Sequence, residues 1–132
     1  MPDVRALLSQ DRFAAQAGIT LEHVEHGLAR ARMAVGPQHL NGVGIAQGGA
    51  VFTLADFAFA AACNSGDRVA VAIDVSISFI RAVTSGVLAA EAREEAVSPR
   101  VSTCLVRVTD EAGALVALFK GTAYRKPDAP TR

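Results

Sequence analysis

The chain has no tryptophan, one tyrosine and six phenylalanines among its 132 residues. Stacking platforms for single-stranded nucleic acid are therefore not expected. It also lacks an excess of either charge, because thirteen Lys and Arg balance thirteen Asp and Glu. That balance removes the basic footprint needed to hold a nucleic acid or an anionic membrane, and neither partner is expected. Cysteine is scarce. Cys63 and Cys104 each sit within or beside an apolar run and read as reduced core thiols, which places the chain in the cytoplasm. The start, Met1-Pro2-Asp3-Val4-Arg5, has neither the basic residues nor the apolar stretch of a signal peptide. The longest apolar stretch, about residues 50–63, is shorter than the ~20 residues of a membrane span and carries Asp56.

What is present is a globular composition, 51% hydrophobic and 20% charged. The length suits one domain over residues 1–132, with the tail 127–132 expected to fray. A neutral and rather apolar chain is also expected to self-associate. Asp3 is placed to cap a first helix that ends at Gly18, with Val4, Leu7, Leu8 and Ala14 or Ala15 facing inward. Residues 19–35 read as two strands turning near Glu25-His26-Gly27. A glycine-rich loop, residues 36–44, leads to a second helix that starts near Gly48-Gly49 and stops at Asn64-Ser65-Gly66.

That helix is apolar almost all round and so is expected to be buried on every side. Val69, Val71, Ile73, Val75, Ile77 and Phe79 alternate strictly, as a half-buried strand does. Residues 86–97 form a weaker strand, and 101–109 with 114–125 form a hairpin about Asp110-Glu111-Ala112-Gly113. Strands with one polar face, beside one wholly apolar helix, imply an α+β fold in which an antiparallel sheet curls around the helix. A partner subunit is expected to cover the helix's other side.

Asp56 is the one charged residue between Asn41 and Asp67. Its helical neighbours are Phe52, Thr53, Phe59 and Ala60. An isolated carboxylate there needs a partner or a task. Desolvation raises its pKa and makes it a candidate general base; the plainer reading is a structural hydrogen bond to a loop across an interface. Gln47-Gly48-Gly49 leaves backbone N–H groups free at a helix mouth, a setting that suits an oxyanion. The same glycines could merely let the loop enter the helix tightly. Asn41 and Gln47 are side-chain amides able to hold water or a carbonyl oxygen.

Other motifs fail. Gly42, Gly44 and Gly48 miss the dinucleotide spacing, and no nucleophile elbow or phosphate loop exists. His23 and His26 lack further ligands for a metal site. His39 reads as a solvated loop residue.

His39-Leu40-Asn41-Gly42, Gln47-Gly48-Gly49, Leu54-Ala55-Asp56-Phe57-Ala58-Phe59-Ala60 and Cys63-Asn64-Ser65 resemble the hotdog-fold acyl-CoA thioesterases of the phenylacetate-degradation (PaaI) type. So do Phe79-Ile80-Arg81 and Ala117-Leu118-Phe119-Lys120-Gly121, and the resemblance spans about residues 18–125. It implies hydrolysis of an aryl- or medium-chain acyl-CoA without metal or cofactor. The sites would lie at the interface of a homodimer or a homotetramer built as a dimer of dimers. Asp56 would serve as base or nucleophile, Asn41 would position water, and the Gly48 N–H would polarise the carbonyl. Gly49 and Arg81 would help bind substrate, Arg81 at the CoA phosphates.

The chain departs from the family pattern at Gln47, where His is usual, and at Val43, often His in close relatives. Gln can donate a hydrogen bond but cannot gain a proton. A hydratase, which needs His at the helix mouth, is disfavoured. The alternative kept open is a non-catalytic acyl-CoA-binding or sensing protein.

Overall fold

The computed structural model describes residues 3–127. Most of the tail expected to fray, residues 128–132, lies outside them. The N-terminal region forms two short helices rather than one, α1 over Val4–Leu8 and α2 over Arg12–Gln16. The break has a local cause. Asp11 acts as a second N-cap, its carboxylate accepting from the Ala14 N–H at 2.9 Å, so a new helix starts where the first would have continued. Leu8 and Ala14 are buried as expected, but Leu7 faces solvent, contrary to the inward face expected for a continuous helix.

Strand β1, Ile19–Glu25, turns at His26-Gly27 into β2, Leu28–Val35. Gly27 takes φ of 75°, a conformation that a side chain disfavours. A 3-10 turn at Pro37–His39 precedes the long helix α3, Gly48–Cys63. Then follow β3 (Ala70–Phe79), β4 (Gly86–Val97), β5 (Val101–Thr109) and β6 (Leu115–Arg125).

The six strands form one antiparallel sheet in the order β1-β2-β4-β5-β6-β3. Strand β3 thus crosses to the far edge, where Phe79 pairs with Ala117. The concave face carries many small residues, among them Ala29, Ala31, Ala90, Ala92 and Ala123, which let α3 sit close. Phe59 of α3 packs on Phe119 with ring centroids 5.6 Å apart, and Phe52 meets Phe119 edge-on at 5.5 Å. At Gly121 the approach is closest, since a Cβ there would lie 2.8 Å from the Phe59 ring.

The convex face carries exposed ion pairs, Arg30 with Glu91 at 2.6 Å and Arg93 with Glu91 at 3.4 Å among them. Pairs this exposed give solubility more than stability.

Asn64 ends α3 and ties it to β3. Its amide donates to the Ala60 and Ala70 carbonyls, and its carbonyl oxygen accepts from the Ala70 N–H at 2.8 Å. The expectation that α3 is buried all round is not met within one chain. Phe52, Thr53, Asp56 and Ala60 are half-buried and Gly49 is exposed, which leaves one open stripe along the helix. Likewise β3, the clearest alternation in the sequence, is the least covered strand, with Ile73 60% exposed at the sheet edge.

Candidate functional site

The loop between β2 and α3 is clamped before it delivers its residues. Leu40 bridges Ala46, the Ala46 N–H donates to the Val83 carbonyl at 2.7 Å, and the Gln47 N–H donates to the His39 carbonyl at 2.7 Å. His39 is a buried pin, 4% exposed, and not the solvated residue its loop position implied. Its Nδ1 accepts from the Gly36 N–H at 2.9 Å while Nε2 lies 2.6 Å from the Ala17 carbonyl. Only the tautomer with hydrogen on Nε2 satisfies both bonds. Asn41 is also half committed. Its Oδ1 accepts from the Val43 and Ile45 N–H groups at 3.0 and 3.3 Å, which closes the loop, and its NH2 group has no acceptor among the described residues.

Helix α3 opens without a side-chain cap. Ala50 and Val51 return their N–H groups to the Gln47 carbonyl, while the Gly48 and Gly49 N–H groups have no acceptor among the described residues. These two donors, at the positive end of a sixteen-residue helix, can take a developing negative charge.

Asn41, Gly48 and Arg81 meet in one cleft of about 300 Å³. Its remaining walls include Val51, Phe79, Val83 and Val116. Arg81 is exposed, with no ion-pair partner among the described residues. Gln47 and Gly49 fall on the other flank of the helix mouth, in a depression shared with Phe13, His39 and Thr53. Gln47 folds back there, its Oε1 only 2.8 Å from where a Gly49 Cβ would stand.

Asp56 lies two turns further along, on the open stripe of α3, lining neither of these two hollows. Its carboxylate has no hydrogen bond or ion pair among the described residues, and burial, then the nearby Asp11 charge, pushes its pKa up. The cleft thus joins a free amide, a helix mouth and a cation, while the carboxylate stands apart. No group of three or more His, Cys, Asp or Glu among the described residues is placed to hold a metal ion. No described helix is long and apolar enough to cross a membrane.

Phe79, Val83 and Val116 were not singled out as cleft residues by sequence reasoning. Phe79 ends an alternating strand and Val83 follows it; nothing in their spacing marks them as walls rather than core.

The description of the thioesterase superfamily fits residues 43–117 of this chain. The acyl-coenzyme A thioesterase PaaI of Escherichia coli is 34% identical over 124 residues, covering 93% of this chain and 89% of its own length. The solved structure of the E. coli PaaI protein from the phenylacetic acid degradation operon superposes with a TM-score of 0.89 at 33% identity, over 96% of this chain and 92% of that one. A mutant form of the phenylacetic acid degradation protein PaaI from Thermus thermophilus superposes at 0.82 with 37% identity, over 86% and 98% of the respective chains.

Proposed function

Because the chain belongs to the thioesterase superfamily, as a hotdog-fold thioester hydrolase of the PaaI type, we propose that it cleaves an aryl- or medium-chain acyl-CoA to the free acid and CoA. The observation that carries this reading is the free Gly48 N–H at the mouth of α3, opening into an apolar-walled cleft. The thioester carbonyl oxygen would accept from the Gly48 N–H, with Gly49 beside it, and the oxyanion formed on attack would be held by the helix end. Asn41, through its uncommitted NH2, would hold the water. Asp56 would take the water's proton, or attack the carbonyl carbon itself. Either course breaks the C–S bond with CoA thiolate leaving, and a thiol that titrates near 8.5 needs little help to leave. The nucleophilic course leaves the acyl group on Asp56 as a mixed anhydride, which water then hydrolyses to the free acid. Gln47 would then serve as a hydrogen-bond donor only, and Arg81 would meet the CoA phosphates.

The site would be shared between subunits. Gly48 and Asp56 are eight residues apart on one helix, about 12 Å along its axis. One reacting carbon cannot touch both, since reacting atoms approach to about 3–3.5 Å. A two-fold axis pairing α3 helices antiparallel would bring Asp56 of one protomer to the Gly48 end of its partner. The open stripe of α3 and the uncovered apolar edge at Val71 and Ile73 give such a homodimer, or a tetramer of two of them, surfaces to bury.

The test is release of free CoA thiol across a panel that includes phenylacetyl-, hexanoyl- and acetyl-CoA. Turnover of an aryl or medium-chain ester above acetyl-CoA is the expected result. Tight binding with no thiol from any ester would instead mark a binding or sensing protein.

A further inference from the structure

The Phe79 ring is held against the helix mouth. A Cβ on Gly48 would stand 3.0, 3.3 and 3.4 Å from the ring's Cζ, Cε2 and Cε1 atoms, so the ring fills the space that any side chain at position 48 would need. Its backbone is fixed by the end of the β3–β6 ladder, where the next residue, Ile80, donates its N–H to the Val116 carbonyl at 2.8 Å. The rest of the ring is open, since Phe79 is 56% exposed and lines the cleft. Phe52 and Phe59 each pair with Phe119, whereas Phe79 has no aromatic partner among the described residues.

A carbonyl oxygen accepting from the Gly48 N–H lies about 3 Å from that nitrogen. The carbon of that carbonyl carries the acyl chain on one side and the CoA sulfur on the other. With the acyl chain on the side that Phe79 walls, it runs beside the ring, within the ~4 Å of an apolar contact. An aromatic face open to a cleft rewards a flat aromatic guest, which can stack offset or edge-on, more than an alkyl chain of equal carbon number.

We propose that Phe79 is a specificity-determining residue: its ring forms the wall against which the acyl group lies, and it selects aryl over straight-chain acyl groups. This rests on the reading of Gly48 as the carbonyl-binding donor. The ring acts on the ground state and the transition state alike, so its contribution belongs in KM more than in kcat.

The experiment compares wild type with Phe79→Leu, which keeps apolar bulk, and with Phe79→Ala. It measures kcat and KM for benzoyl-CoA and heptanoyl-CoA, acyl groups of equal carbon number. The dissociation constants of the matching non-hydrolysable thioethers are measured alongside. The expected result is a wild-type preference for the aryl ligand that falls about fivefold in Phe79→Leu, chiefly through KM, with heptanoyl-CoA changed less than about twofold. The thioether dissociation constants should shift by the same ratio. Equal losses for both ligands, or no aryl preference in wild type, would overturn the proposal. Wild type that binds both thioethers but releases no thiol would sink the hydrolytic reading of Gly48, and the ratio of dissociation constants would still decide the role of Phe79. A melting curve for each variant separates misfolding from lost selectivity, and Phe79→Leu alone suffices if Phe79→Ala does not fold.

Discussion

Asp56 is half-buried on a helix of phenylalanines and alanines, and no described residue compensates its charge. Burial raises its pKa above the ordinary 3.8, so the folded chain holds that proton more tightly than the unfolded chain. The stability this lends is complete below 3.8 and is lost as the pH rises through the raised folded value. Near neutrality the ionised carboxylate is therefore a cost that a neutral isostere does not carry. Asp56→Asn is expected to abolish thiol release and to melt higher than wild type at neutral pH, with the gap closing in acid where wild type is also neutral. Retention of more than about a tenth of wild-type turnover, equivalent to about 1.4 kcal/mol of barrier, would remove Asp56 from the chemistry. At Gln47 the expectation concerns a donor and not a charge. Gln47→His should match or exceed wild-type turnover and Gln47→Ala should fall below it, because amide and imidazole can both donate to a thioester while a methyl cannot. Equal rates in Gln47→Ala and wild type would place the residue outside the site, which its position on the far flank of the helix mouth makes a sharp test.

The elements themselves follow from local chemistry. Helix α3 answers to glycines at its mouth and Asn64 at its end, and the hairpin of β5 and β6 to Asp110, whose carboxylate accepts from the Ala112 and Ala114 N–H groups. Both were legible in the sequence because the determining residues are neighbours. The split of α1 from α2 was not, because Asp11 is one more polar residue until its side chain is seen to turn back on Ala14. His39 escaped for a related reason: one of its partners, Ala17, is 22 residues away, and no periodicity reports such a contact. The candidate site divides the same way. Asn41 and Gly48 in the cleft, and Asp56 apart from it, stand out as polar or glycine residues in apolar company, whereas the walls at Val83 and Val116 look like any core valine. Packing between elements gives its own test at Gly121 of β6. A methyl group there would meet Phe59 at 2.8 Å, and Phe59 is itself locked on Phe119. Gly121→Ala should therefore destabilise the chain by about 1–3 kcal/mol, read from chemical denaturation. An unchanged midpoint would show that the helix has room to shift.

For the whole molecule, a site shared between protomers, as proposed above, would make a quantitative claim about mixtures. Asp56→Asn and Asn41→Ala are each expected to be inactive alone. Unfolded and refolded together, they would pair at random, so about half of the dimers would be mixed, each with one intact site of two, and about a quarter of wild-type activity should return. Mixed dimers that form and stay silent would refute a site built from both protomers. The two cysteines have a separate consequence for a chain whose proposed product is itself a thiol. Burial pushes Cys63 and Cys104 each up to about 12, so almost no thiolate exists on either at neutral pH, and both side chains are out of reach of solvent. Disulfide exchange needs an accessible thiolate on the protein. Oxidised CoA accumulating beside this enzyme would then find no sulfur to capture, and a colorimetric thiol reagent would register the coenzyme released while passing over the catalyst that released it.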